Sequence, residues 1–152
     1  MNIQLPILIT GANGFLGSYV LAELIKREIP VYAAGRTEID FPQSINYHFI
    51  KMNLLHDLPT DILGEHRFRS VVHLASFVPS SSTLKTFDDH DSILQGVYLS
   101  TLRLLKLISG KTDHIVFASS IAVYGNVHGI IDETFPCNPM DYYVLYKYFV
   151  QI

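Results

Sequence analysis

"ILITGANGFLGS", Ile7 to Ser18, is the stretch that decides how this chain folds. A short apolar run ends at Gly11, Gly14 and Gly17 follow at intervals of three, and helical periodicity begins at once. A strand must turn sharply into a helix there, and glycine tolerates such a turn. The turn brings bare backbone and the free N–H groups of a helix start together, with a partial positive charge that suits a pyrophosphate. The strand is expected over Pro6 to Thr10 and the helix over Phe15 to Glu28, with Leu16, Val20 and Leu24, and Leu21 and Ile25, recurring at i, i+4.

Outward from that turn, strand-length apolar runs alternate with helical stretches, without an internal repeat. Further strands are expected at Val31 to Gly35, at "INYHFI" (Ile45 to Ile50), at "SVVHLAS" (Ser70 to Ser76) and at "HIVFASS" (His114 to Ser120). A helix is expected from Ser92 to Ile108, with Ile93, Val97, Thr101, Leu104, Leu105 and Ile108 on one side. Ser80 to Ser82 reads as a mobile loop or a cap. Tyr124 to Asp141 reads as a surface loop, after which helix resumes at Tyr142 and Tyr143. Strands and helices in alternation imply βαβ units with right-handed crossovers, and so an α/β fold: a Rossmann-like, doubly wound parallel sheet that binds ligands at the carboxyl ends of its strands.

Composition narrows the function. A chain of 152 residues, 49% of them apolar, is long enough for a single domain with a real core. A formal charge of −3 with no basic run argues against nucleic acid as a partner. The lone Cys137 cannot form an internal disulfide, which suits a reducing, cytoplasmic setting. The start reads as a strand and not a signal peptide, and no window approaches the ~20 apolar residues of a membrane span. The seven histidines form no H-E-x-x-H pattern, so no metal site is expected, and His73 reads as a hydrogen-bonded strand-end residue. Neither a G-x-S-x-G elbow nor a phosphate-loop G-x-x-x-x-G-K-[ST] is present.

The G-x-x-G-x-x-G spacing, with "VVHLAS", "FASSIAVYG", "DETFPCNPMDYY" and "YVLYK" following in order, resembles the extended short-chain dehydrogenase/reductase superfamily of NAD(P)-dependent sugar epimerases, dehydratases and reductases. The resemblance runs along essentially the whole chain. It implies that Tyr143 is the catalytic acid or base, that Lys147 one helical turn on favours its phenolate and holds the nicotinamide ribose, and that Ser120 binds the reacting oxygen, with Ser119 a near alternative. It implies cofactor contacts from Gly11, Asn13, Gly14, Phe15, Leu16 and Gly17, then from Arg36, Asn53, Leu54, Leu74, Ala75 and Ser76, and from Tyr143 and Lys147 themselves.

Cofactor choice turns on "VYAAGRTE". NAD enzymes of this fold place Asp or Glu at the end of the second strand, where this chain has Gly35 and Arg36, so NADP is favoured over NAD; Glu38 or Asp40 folding back to a ribose is the competing arrangement. The family's usual Asn in the helix before the fifth strand is Val97 here.

In the family the Tyr-Lys helix runs on and substrate-binding strands follow. Residues 1–152 are therefore expected to be a truncated NAD(P)-binding domain, incomplete at the C-terminal end of the sheet and without the substrate-binding region. The small-molecule substrate, a nucleotide sugar by resemblance, goes unnamed by the sequence. A homodimer through the helix before the fifth strand and the Tyr-Lys helix is a further expectation. Three readings stay open: the cofactor-binding portion of an active enzyme, a dinucleotide-binding module without catalysis, and an inactive gene remnant.

Overall fold

A computed structural model of the chain describes residues 4–38, 46–77 and 87–151. Its strands are β1 (Ile7–Thr10), β2 (Val31–Gly35), β3 (Tyr47–Lys51), β4 (Ser70–His73) and β5 (Ile115–Phe117), and its helices are α1 (Phe15–Lys26), α2 (Thr60–Glu65), α3 (Phe87–Ile93), α4 (Ser100–Ile108) and α5 (Tyr142–Phe149). A π-helical segment, Leu94–Leu99, joins α3 to α4, and a 3-10 turn, Ile121–Tyr124, follows β5. The chain divides into two compact units, Met1–Ala75 with Leu104–Ala118, and Ser76–Arg103 with Ser119–Ile152.

The first unit holds the sheet, in the order β3-β2-β1-β4-β5 with every pairing parallel. Strand order reverses at β1, and in sheets of this kind ligands bind beyond the carboxyl ends of the strands at such a reversal. Side chains alternate between faces. Leu8, Ala34, Ile50 and Val71 pack with Leu63 of α2 and Leu104 and Ile108 of α4, whereas Ile9, Val31, Ala33 and Tyr47 pack with Leu21 of α1. Both faces are covered, which is the doubly wound arrangement. Each fully buried Leu or Ile contributes roughly 1.5–3 kcal/mol, so these two apolar layers hold the unit together.

Several element boundaries differ from the sequence reading. The stripe that α1 buries is centred on Gly17 and Leu21, and Leu16 is 54% exposed, because a helix starting this close to the β1 turn must present a glycine to it. A Cβ on Gly17 would lie 2.1 Å from the Gly11 carbonyl oxygen. Helix α2 has no counterpart in the sequence reading; Pro59 before it and Gly64 within it mask a six-residue helix fixed by the burial of Leu63. Strands β4 and β5 stop at His73 and Phe117, three residues short of their expected ends. Ile45, Asp40 and Ser80 to Ser82, on which sequence expectations fell, lie outside the described residues.

In the second unit the helical run starts at Phe87 and not at Ser92. Its π-helical segment has a local cause: the Phe77 N–H donates to the Gly96 carbonyl at 3.1 Å, drawing that carbonyl towards the loop. The Ser100 hydroxyl also donates to Gly96 O, at 2.9 Å, and the Thr101 hydroxyl donates to Val97 O at 2.6 Å. Carbonyls diverted from a regular ladder are thus satisfied, and a glycine is needed at 96 because a Cβ there would meet Phe77 Cβ at 2.3 Å. Helix α5 is capped by Asp141, whose carboxylate accepts the Val144 N–H at 2.9 Å.

Candidate functional site

The glycine turn in the first unit has the form a dinucleotide phosphate needs. Gly11 has φ +72°, and a Cβ on it would lie 2.7 Å from the Ala75 nitrogen, so the turn after β1 touches the loop after β4. The Gly14 N–H donates to Gly11 O at 2.9 Å, closing the turn. Gly14 is the N-cap of α1 and offers no side-chain cap, and no acidic residue stands in the first turn. The first-turn N–H groups of Phe15, Leu16 and Gly17 therefore lack intrahelical acceptors, and side chains at Asn13, Phe15 and Leu16 are exposed around them. A bare, positively polarised cradle that any side chain would fill fits a pyrophosphate.

Asn13 reaches from this turn to the end of β2. Its amide nitrogen donates to the Thr37 hydroxyl at 2.8 Å, and its oxygen lies 2.8 Å from where a Gly35 Cβ would stand. Arg36 is exposed beside this contact. Glu38, also exposed, acts on Tyr47 of β3, where burial first and the Glu38 charge second push the phenol up. The Asn53 side-chain oxygen accepts the Leu55 N–H at 3.0 Å, within its own turn, and the Leu54 side chain is buried in the core. Leu74 donates its N–H to Thr10 O at 3.1 Å, which fixes the start of the loop after β4.

The second unit carries Tyr143, Lys147 and Ser120. Tyr143 and Lys147 share one face of α5, with Nζ 5.8 Å from the Tyr143 ring centroid. Lys147 is only 3% exposed, and burial draws its amine from the ordinary 10.5 down to about 8. The Tyr143 phenol is raised: burial pushes it up, the Ser76 hydroxyl draws it partly back, and the Asp141 carboxylate pushes it up again. At Ser120 the hydroxyl oxygen accepts the Ala122 N–H at 3.2 Å and caps the 3-10 turn, so its own hydrogen can donate elsewhere. The Ser119 hydroxyl is instead held by the Gln151 side chain, which also donates to the Lys147 carbonyl at 3.0 Å.

The aromatic residues of α5 divide by role. Tyr142 and Tyr146 lie against His90, with ring centroids at 4.3 and 5.8 Å, and the Tyr146 hydroxyl is 2.7 Å from His90 Nε2. They make a packing face, while Tyr143 turns to Lys147 and Ser76. Gln151 and Thr10 went unassigned in the sequence reading; the only local sign of either is that Thr10 immediately precedes Gly11. Val97, in place of the family's Asn, is buried. Among the described residues no three His, Cys, Asp or Glu side chains converge, and no helix is long and apolar enough to cross a membrane.

Comparison with known proteins places the chain in a family. A model of the NAD dependent epimerase/dehydratase family matches residues 7–152. The bifunctional protein GAL10 of Candida maltosa is 30% identical over 133 residues, covering 79% of this chain and 84% of that protein. The dTDP-4-dehydro-6-deoxyglucose reductase of Escherichia coli is 27% identical over 139 residues, covering 85% of this chain and 42% of the reductase. The solved structure of MoeE5 in complex with UDP-glucose and NAD superimposes with a TM-score of 0.81 at 26% identity, covering 96% of this chain and 46% of that one. The chain thus spans less than half of the reductase and of MoeE5.

Proposed function

This chain belongs to the NAD dependent epimerase/dehydratase family, and from that premise we propose that it is the NAD(P)-binding portion of an enzyme acting on a nucleotide sugar. The observation that carries the reading is the Gly11–Gly14–Gly17 turn at an uncapped helix start. The nicotinamide, when bound, supplies and takes back a hydride at a carbon bearing a hydroxyl or carbonyl. The chain's own residues do the rest: backbone N–H groups of the α1 first turn hold the pyrophosphate, the Ser120 hydroxyl donates to the reacting oxygen, and the Tyr143 hydroxyl exchanges the proton. Lys147 places a buried ammonium beside Tyr143, where positive charge favours the phenolate at the moment of transfer. On this reading residues 1–152 form the cofactor-binding part of that enzyme.

The cofactor we assign is NADP. MoeE5 is described with NAD, yet the end of β2 here offers Gly35 and the Arg36 guanidinium, while Glu38 acts on Tyr47. Fluorescence titration with NADPH and with NADH tests this. Arg36→Ala should erase a preference for NADPH of about tenfold or more, since charge-assisted hydrogen bonds are worth ~1.5–3 kcal/mol. Tighter binding of NADH than of NADPH by the unaltered chain would reject NADP, and equal affinity would reject a preference set by Arg36.

A second reading, a dinucleotide-binding module without catalysis, is favoured by one observation: Val97 puts an apolar, buried side chain at the family's Asn position. The chain alone is expected to turn over little sugar on either reading, so the test is the Val97→Asn variant: unchanged NADPH and NADH affinity would remove the observation that favours this second reading.

A further inference from the structure

The two cofactor loops leave the sheet from neighbouring strands, and one buried pair of side chains joins them. Thr10, last in β1, and His73, last in β4, are register partners, 0% and 2% exposed. Thr10 Oγ1 lies 2.5 Å from His73 Nδ1 and also accepts the Ala75 N–H at 3.3 Å. A hydroxyl carries a single hydrogen. Its oxygen also accepts twice, so Oγ1 can take the Ala75 N–H and still bond to Nδ1 with either imidazole tautomer. The imidazole is backed on its far strand by Phe117 of β5, ring centroids 5.6 Å apart. Immediately beyond the pair, the Gly11 turn and the Ala75 backbone are so close that a Cβ on Gly11 would clash.

We propose that His73, acting through the Thr10 hydroxyl, is a positioning residue that sets the spacing between the glycine turn and the Ala75 amide, and thereby the affinity for the dinucleotide. The inference rests on the dinucleotide reading above. His73 does not touch the cofactor: it orients Thr10, Thr10 holds Ala75, and Ala75 bounds the space into which Gly11 turns. A shift of either loop by a few tenths of an ångström is transmitted to the other, because they are already at contact distance.

The experiment measures NADPH and NADH affinity by fluorescence titration, and thermal unfolding without cofactor, for Thr10→Val, Thr10→Ser, His73→Leu, His73→Asn and the Thr10→Val/His73→Leu pair. Val and Leu should each weaken binding about tenfold, the range expected when a buried hydrogen bond loses one partner. Ser and Asn, which keep a hydroxyl at 10 and a polar group near the place of Nδ1, should restore most of the affinity. The double variant should bind no worse than the weaker single one, since both remove the same link. Lowered unfolding temperature with unchanged affinity would make the pair merely structural and overturn the proposal. Loss of affinity on changing Thr10 but not His73 would overturn the role of His73. If the unaltered chain binds neither dinucleotide, the cofactor reading falls and takes this inference with it; if it binds and the variants match it, this inference alone falls. Should the apolar variants fail to fold, His73→Gln, whose polar group takes the place of Nε2 and not of Nδ1, decides: affinity equal to that of the unaltered chain overturns the proposal.

Discussion

Lys147 shows how much a single residue's surroundings change its chemistry. An amine drawn from 10.5 to about 8 by burial makes the folded state bind its proton less readily than the unfolded state does. Stability therefore rises with pH across the window from about 8 to 10.5, and the full cost is felt below it. Replacing Lys147 by Met should stabilise the chain at pH 7 by up to roughly 3 kcal/mol, with the advantage shrinking towards pH 10. Urea unfolding of both forms from pH 7 to 10 checks this, and parallel stability curves would contradict it. A burial cost retained beside a tyrosine is the pattern of a functional pair more than of a packing choice.

At the scale of the element, α5 depends on Asp141 in two ways that can be separated. Its carboxylate caps the helix through the Val144 N–H, and its charge also pushes the Tyr143 phenol up. Asp141→Ala should cost about 1 kcal/mol of stability, and Asp141→Ser, which keeps a cap, much less. Both should lower the Tyr143 titration, read by NMR of ring-labelled tyrosine, since both remove the charge. A fall seen only with Ala would mean that helix fraying and not charge controls the phenol. The π-helical segment follows the same logic of local demand: Phe77 takes the Gly96 carbonyl, and Ser100 and Thr101 hydroxyls supply the missing donors.

Across the whole molecule, the sheet has an unequal pair of edges. Ile115 and Val116 of β5 are 42% and 44% exposed on adjacent positions, so both faces of that strand meet solvent, and among the described strands it pairs with β4 alone. An apolar edge of this kind is a template for further pairing. The isolated chain should therefore self-associate as its concentration rises, and Ile115→Lys with Val116→Lys should shift the mass measured by light scattering towards the monomer. An unaltered chain that stays monomeric at high concentration would contradict this. Dimerisation through the helix before β5, which runs through α4, and through α5 predicts instead that these two substitutions leave the mass unchanged.

The sequence by itself determined the parallel α/β architecture, the glycine turn and the Tyr143–Lys147 pair, because each is written within a window of a few residues. Period separates strand from helix, glycine spacing marks the tight turn, and a four-residue interval places two side chains on one helix face. Tertiary structure alone decided what those residues meet. Thr10 finds His73 at a separation of 63 positions, and His90 finds Tyr146 at 56. Burial of Leu63 turns a Pro- and Gly-bearing stretch into α2, and Gly17 displaces Leu16 from the buried stripe of α1. The direction in which Tyr143 titrates follows from its burial and from Ser76, which lies far off in sequence. Local pattern constrains backbone conformation, whereas burial and hydrogen-bond partners depend on segments brought together by the fold, so no reading of neighbouring residues supplies them.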